Sequence, residues 1–384
     1  MAPQSSILFA MGLALTFAAC EGEGGFVNEE TQPRTTNPEI AVANLNGQID
    51  ALTRQVAIAP TNTSARESLV GLLMARTQYL GTFEDFDSAF AIVNEALEME
   101  IEPARIATLH ASLLSAVHRF DLAIEELDRA EALGGRAQPA LRQTIGLARG
   151  EDSERIAQER EEAVSLTASF STLSGLAAAY RSLERYEESD LAYQDALDTY
   201  RDVSPFPHAW VSFQRGVMWG EFAGDADTAY GHYVDAVAVL PHYVVGNVHL
   251  AELEVQQGNS DLAIERLERI VFETDDPEPA SRLAQFLAPS DPAKSRDYAA
   301  YAKQQYEYYL ANYPLAFADH ACEFYLAAGD DSDRALELAL LNLDNRKTPR
   351  AYDLALTSAS AAGAEALVCE LAEESGRLDS WPDC

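Results

Sequence analysis

The sequence predicts an all-α fold, a solenoid of antiparallel helix pairs, and three observations predict it. From about Ala65 onward Ala, Leu, Glu and Arg dominate, and no sustained apolar–polar alternation of the kind a strand needs occurs. A phrase recurs at helical spacing: an aromatic or small residue, a small one three later, a bulky one four later, then Ala or its substitute. It reads Phe86, Ala89, Val93, Ala96; Phe120, Ala123, Leu127, Ala130; Tyr186, Ser189, Tyr193, Ala196; Ala226, Ala229, Tyr233, Ala236; and Ser260, Ala263, Leu267, Ile270. The interval is 34 residues from Ala89 to Ala123 and again from Ala229 to Ala263, which is a repeat period and not chance periodicity.

Taken in order, the chain opens with an uncharged apolar run from Ile7 to Ala19, thirteen residues closed by Cys20. Thirteen helical residues rise only about 20 Å, too short to cross a hydrocarbon core of about 30 Å, so the run reads as an export signal over residues 1–20. Residues 21–62 are rich in Gly, Pro, Thr and Asn and read as a tether, with a short helix over residues 41–56 docking as an N-terminal cap because Ile40, Val42, Leu45, Ile49, Leu52 and Val56 recur near helical spacing. Residues 63–373 form the repeat domain, in about eight helix pairs, and residues 374–384 a C-terminal tail. Gly81, Gly224, Gly258, Gly329 and Gly363 fall between the two helices of a pair, where glycine tolerates the left-handed conformation that closes a helix. Pro103, Pro205, Pro241 and Pro277 follow second helices, and Arg201 to His208 reads as a longer loop because the interval from Ser189 to Ala229 stretches to 40.

Composition narrows the function classes. Apolar residues make up 47% and charged residues 23%, as in a folded chain. The 62 acidic and 27 basic residues leave a formal charge of −35, which repels nucleic-acid phosphates at long range, so no nucleic-acid partner is expected. The same charge serves either as a solubilising surface or as recognition of a basic partner.

Motifs for chemistry are missing from the sequence. Its seven His are scattered with no H-E-x-x-H spacing, no Cys pair stands at zinc spacing, and no phosphate loop, nucleophile elbow or dinucleotide fingerprint occurs. Asp330, Asp331 and Asp333 lack the Glu that would complete a calcium loop and read as a turn and a helix N-cap. The expectation is a non-enzyme with no catalytic residues, no metal and no cofactor.

Of the cysteines beyond Cys20, Cys369 and Cys384 are the pair expected to bridge in an oxidising compartment, stapling the tail to the last helix; the alternative is buried free thiols. Cys322 reads as a small core residue. The stretch Tyr298 to Tyr325 is unusually aromatic and serves either inter-repeat packing or a ligand platform; Tyr308 and Tyr309, being adjacent, cannot both face the core.

Two resemblances follow. The 34-residue phrase, with Leu250, Ala251, Gly258, Ala263 and Leu267 in its best copy, resembles the tetratricopeptide repeat, and Phe17-Ala18-Ala19-Cys20 resembles the lipobox of bacterial lipoproteins. The second implies that Cys20 is lipidated and becomes the mature N-terminus, and that Glu21 beside it directs the protein to the outer membrane, facing the periplasm. The first implies that the first helix of each pair lines a peptide-binding groove. Carried residue by residue, its lining is Ser174, Ala178 and Arg181; Gln214, Met218 and Glu221; and Val248, Glu252 and Val255. This face lacks the clustered basic residues with which some members clamp a terminal carboxylate. The function implied is a membrane-tethered scaffold for a protein or peptide partner in the cell envelope. Alternatives are an accessory lipoprotein for outer-membrane assembly or secretion, a spacer between envelope layers, and a periplasmic carbohydrate binder or enzyme built on the aromatic segment near Tyr308.

Overall fold

The structure, a computed structural model, describes residues 35–381 and 384, so the expected export signal, Cys20 and the first part of the expected tether lie outside the described residues. Among the described residues the architecture is all-α, with nineteen α-helices and no strand. After α1 (Pro38–Ile58) they follow in successive pairs. The first helices are α2 (Thr63–Leu80), α4 (Pro103–Ala116), α6 (Pro139–Arg149), α8 (Phe170–Ser182), α10 (Pro205–Val217), α12 (Val244–Gln256), α14 (Glu278–Leu287), α16 (Pro314–Leu326) and α18 (Pro349–Ala361). The second helices are α3 (Asp85–Glu98), α5 (Phe120–Ala132), α7 (Ser153–Leu166), α9 (Tyr186–Thr199), α11 (Ala226–Val239), α13 (Ser260–Glu268), α15 (Pro292–Asn312), α17 (Ser332–Asn345) and α19 (Glu365–Glu374).

The recurring phrase is the buried stripe of the second helices. Its second position, Ala89, Ala123, Ser189, Ala229 or Ala263, is fully buried in all five copies. A small residue there lets the paired helices approach closely, while Val93, Leu127, Tyr193, Tyr233 and Leu267 fill the space beside it. Each buried Val or Leu of this kind contributes about 1.5–3 kcal/mol.

The ends of the helices follow local chemistry. Gly81 closes α2 at φ 63° and accepts no side-chain penalty there; Gly224, Gly258 and Gly363 are also left-handed. Gly329 differs. It is needed for space, since a Cβ there would stand 2.8 Å from Phe324 Cε1, and Asp330 takes the left-handed conformation at φ 46°. Asp331 then caps α17, its carboxylate accepting from Arg334 N at 3.0 Å. The expected loop around Pro205 is shorter than the prolines suggested. Pro205 and Pro207 lie in the first turn of α10, where a fixed φ suits the helix and no N–H is needed. The short helix expected over residues 41–56 is present as the longer α1, which starts at Pro38, runs to Ile58 and buries Ala41, Leu45, Ile49 and Val56.

The chain divides into two compact units, each discontinuous in sequence: one from the start to Ile106 plus Ser153–Leu250, the other Ala107–Asp152 plus Ala251–Cys384. Each unit joins helix pairs far apart in sequence. In the first, Tyr79 of α2 lies with its ring centroid 4.8 Å from Phe206 and 5.5 Å from Tyr243. In the second, Asn345 Nδ2 donates to His118 O at 3.1 Å, and Lys347 N to Arg149 O at 3.2 Å.

Candidate functional site

The first helices carry the residues that the sequence nominates for a groove, and the structure treats them unevenly. Ser174, Arg181, Gln214 and Val248 are buried, whereas Glu221, Glu252 and Val255 keep partial exposure. The buried ones meet a neighbouring helix and not an open face: Arg181 of α8, for example, reaches Gln214 of α10.

In the first unit, Arg181 Nη1 donates to Gln214 Oε1 at 3.0 Å, and its guanidinium stands 5.1 Å from the ring centroid of Phe222. Phe222 is there because α10 runs on into a π-helical turn, Met218–Phe222. One extra residue per turn rotates the side chains that follow, and such turns recur at functional sites. The turn is pinned by Asp190, which accepts from Arg215 Nε at 2.7 Å and Trp219 Nε1 at 3.1 Å, and by Tyr186, whose hydroxyl donates to Phe222 O at 3.1 Å. It also brings Glu221 Oε1 within 3.2 Å of His249 Nδ1. Glycine makes the close approach possible, because a Cβ on Gly216 would stand 2.5 Å from Tyr233 Cε1. Beside Arg181, the buried Arg160 guanidinium donates to Gly175 O, and burial lowers its pKa to about 10. Tyr193 of α9 is fully buried in a cluster with Ala177 of α8 and Trp210 and Val211 of α10; burial raises its phenol pKa, and the charges of Arg181 and Arg160 oppose that rise.

In the second unit the same faces hold a ladder of alternating charge. Glu252 Oε1 of α12 lies 2.5 Å from Arg282 Nε of α14; Arg282 Nη2 lies 3.1 Å from Glu323 Oε2 of α16; and Arg350 of α18 pairs with Glu323 Oε1. A branch runs from Arg282 to Glu278 at 3.5 Å, from Glu278 Oε1 to His320 Nδ1 at 3.1 Å, and from His320 to Asp319, which Arg346 holds. Burial works against a charged His320, but Asp319 and the hydrogen-bonded Glu278 outweigh it and raise the imidazole to about 9. Asp276, capping the start of α14 through Glu278 N at 2.8 Å, is pushed up to about 8 by burial and the nearby Glu278 charge. His118 goes the other way, to about 3, because burial and Arg346 disfavour its charge.

Glu278, His320 and Glu323 bring three potential metal-ligand atoms within 4.8 Å of one another. The surrounding chemistry favours an ion-pair network over a metal centre. Arg282 already bonds both carboxylates, and His320 carries a proton up to about pH 9, so a divalent ion would meet two positive charges before any ligand. Sequence reasoning missed this cluster. The available signal was register: Val248 plus one 34-residue period is Arg282.

The aromatic stretch divides by exposure. Tyr298, Tyr306, Tyr309, Tyr313, Phe317, Phe324 and Tyr325 are buried, whereas Tyr308 is 49% exposed. Cys322 is buried with Sγ 3.2 Å from Ser358 Oγ, and burial pushes its thiol up to about 12. Cys369 and Cys384 are joined by a disulfide.

No family model matches the chain, and no curated protein matches it. Solved structures do resemble it at low identity. The Cut9 and Hcn1 hetero-tetramer of the APC/C is 14% identical over 82% of this chain, with a TM-score of 0.45, and the chain spans 61% of the length of that one. Human IFIT1, solved as a dimer with m7Gppp-AAAA, is 13% identical over 86% of this chain and 77% of its own, with a TM-score of 0.47. A monomeric IFIT1 mutant with the same capped RNA is 15% identical over 86% of this chain and 76% of its own, with a TM-score of 0.48.

Proposed function

We propose that this protein is a non-catalytic scaffold of the bacterial cell envelope, tethered to the outer membrane by lipid on Cys20, that holds a polypeptide partner against its first helices. The observation that supports the reading is the first-helix face of the first unit, which carries two polar pairs in fixed geometry, Arg181 with Gln214 at 3.0 Å and Glu221 with His249 at 3.2 Å. Polar groups held in place on a rigid helical frame lose little entropy when a partner arrives. The mechanism is placement, since a lipid anchor concentrates that face at the membrane surface.

The test is a photocrosslinking pull-down from native membranes, with a crosslinking amino acid at Ala178 or at Val255. The intact protein is compared with Cys20→Ser. The expected result is one protein enriched by both crosslinkers, with Cys20→Ser found in the soluble fraction. A Cys20→Ser protein that stays with membranes overturns the anchor, and absence of any enriched protein overturns the scaffold.

A further inference from the structure

Part of the first-helix face in the first unit is already covered, and the cover is the chain's own α2. Within that unit, to which α1–α3 and α8–α10 both belong, Tyr79 of α2 lies against a cluster formed by Ala177 of α8, Tyr193 of α9, and Trp210 and Val211 of α10. Its ring stands 4.8 Å from that of Phe206 in the first turn of α10 and 5.5 Å from that of Tyr243, the residue ahead of α12. The helices α8, α10 and α12 are the ones that carry Ala178, Gln214 and Val248 of the expected groove.

This contact differs in kind from those that join α1, α2 and α3. Inside that group the fully buried Arg66 guanidinium donates to Ile92 O and to Glu95 Oε2, each at 2.8 Å. Arg76 donates to Asp85 at 2.7 Å and to Asn46 at 3.0 Å, so charge-assisted bonds tie the three helices into one body. Toward α10 rings meet rings, and Tyr79 and Phe206 both stay partly exposed although they touch. Parting these rings re-exposes apolar area but strands no buried ion. The connection from α3 to α4 is suited to such movement. In residues 99–102, Met99, Glu100 and Glu102 are exposed, and Glu100 (φ 52°) and Glu102 (φ 36°) hold a left-handed conformation that is strained for any residue but glycine. The ion pair across this turn, Arg105 with Glu67, is partly exposed, and pairs of that kind contribute little.

We infer that α1–α3 form a reversible cover on the first-helix face of the first unit, latched by Tyr79 against Phe206 and Tyr243, and that a partner gains the whole face only when the latch parts. This rests on the groove reading above and concerns its regulation. A partner that binds only open molecules has its apparent affinity reduced by the open fraction, so weakening the latch strengthens capture.

The test uses the full chain with Tyr79→Ala, Phe206→Ala and Tyr79→Phe. Each is compared with the parent by small-angle scattering, by far-ultraviolet circular dichroism, and by capture from native membranes through the photocrosslinker at Ala178. The two alanine variants cut the latch from opposite sides. They are expected to show a larger radius of gyration at unchanged helical content and to capture about three-fold more of the protein that the parent captures, or to capture one where the parent captures none. Tyr79→Phe keeps the ring and should match the parent. Where one alanine variant loses helical content, the other decides; loss in both marks the contact as structural packing and overturns the latch. An unchanged radius overturns it as well. Capture by the parent that neither alanine variant increases leaves the scaffold standing and removes the latch. Absence of capture by parent and variants alike overturns the scaffold, and the latch with it.

Discussion

Arg282 Nη2 donates to Glu323 Oε2 at 3.1 Å across 41 positions of sequence, so that one guanidinium ties the inner faces of α14 and α16. With Glu252 and Glu278 on the same side chain, it neutralises carboxylates from three helices.

Removing that guanidinium is therefore expected to cost more than an ordinary core change. Arg282→Met leaves three carboxylates without their common partner and should destabilise the protein by about 3–5 kcal/mol in chemical denaturation. A loss below 1 kcal/mol would show that the ladder contributes nothing net to stability.

The cluster also sets a pH dependence. His320 titrates at about 9 when folded, against about 6.5 for a free imidazole, so the stability it adds is complete below about pH 6.5 and is lost as pH rises through 9. Asp276, raised to about 8, stays protonated where the unfolded chain has already ionised, and its effect has the same sign. Melting temperature should fall from pH 6.5 to 9, and His320→Gln should flatten that slope. An unchanged slope in the variant would remove His320 from the explanation.

Gly216 is a steric test of the π-turn. Any Cβ there meets the Tyr233 ring at 2.5 Å, so Gly216→Ala should cost about 1–3 kcal/mol, and Gly216→Ala with Tyr233→Leu should recover part of it. A neutral Gly216→Ala would mean that α10 and α11 shift apart without penalty.

The Cys369–Cys384 bond spans 15 positions and joins the chain end to α19. Its loss should act locally. Cys369→Ser with Cys384→Ser should raise hydrogen exchange in α19 while leaving α8 and α10 unchanged, with at most about 3 kcal/mol lost by the chain-entropy account. Faster exchange across both units would contradict that picture.

What the sequence disclosed depends on how local each cause is. Phe120, Ala123, Leu127 and Ala130 repeat at helical spacing within one helix, and they are buried as that spacing demands. Pro205 was harder, because a proline suits a loop and a first helical turn equally well, and only the neighbouring helix decides. Arg282 and His320 escaped notice because charged residues on a helix ordinarily mark the solvated face; besides Glu278 and Asp319 nearby in sequence, each has a partner from another pair, 30 to 42 positions away. Register alone nominated Arg181 and Gln214, but their mutual hydrogen bond comes from the packing of α8 on α10, and the approach of Phe222 to Arg181 from the π-turn, neither of which a local pattern encodes.

The contacts of Asn345 with His118 and of Lys347 with Arg149 carry a consequence for how this chain can change. In an open array each repeat meets only its neighbours, so a duplicated or deleted copy simply lengthens or shortens the protein. Here helix pairs more than 190 residues apart must arrive side by side. A copy gained or lost between them would misplace one partner by a full helix pair. The number of copies between these contacts is thus a structural constraint of this chain, which tolerates loop insertions and side-chain changes more readily than the gain or loss of a helix pair.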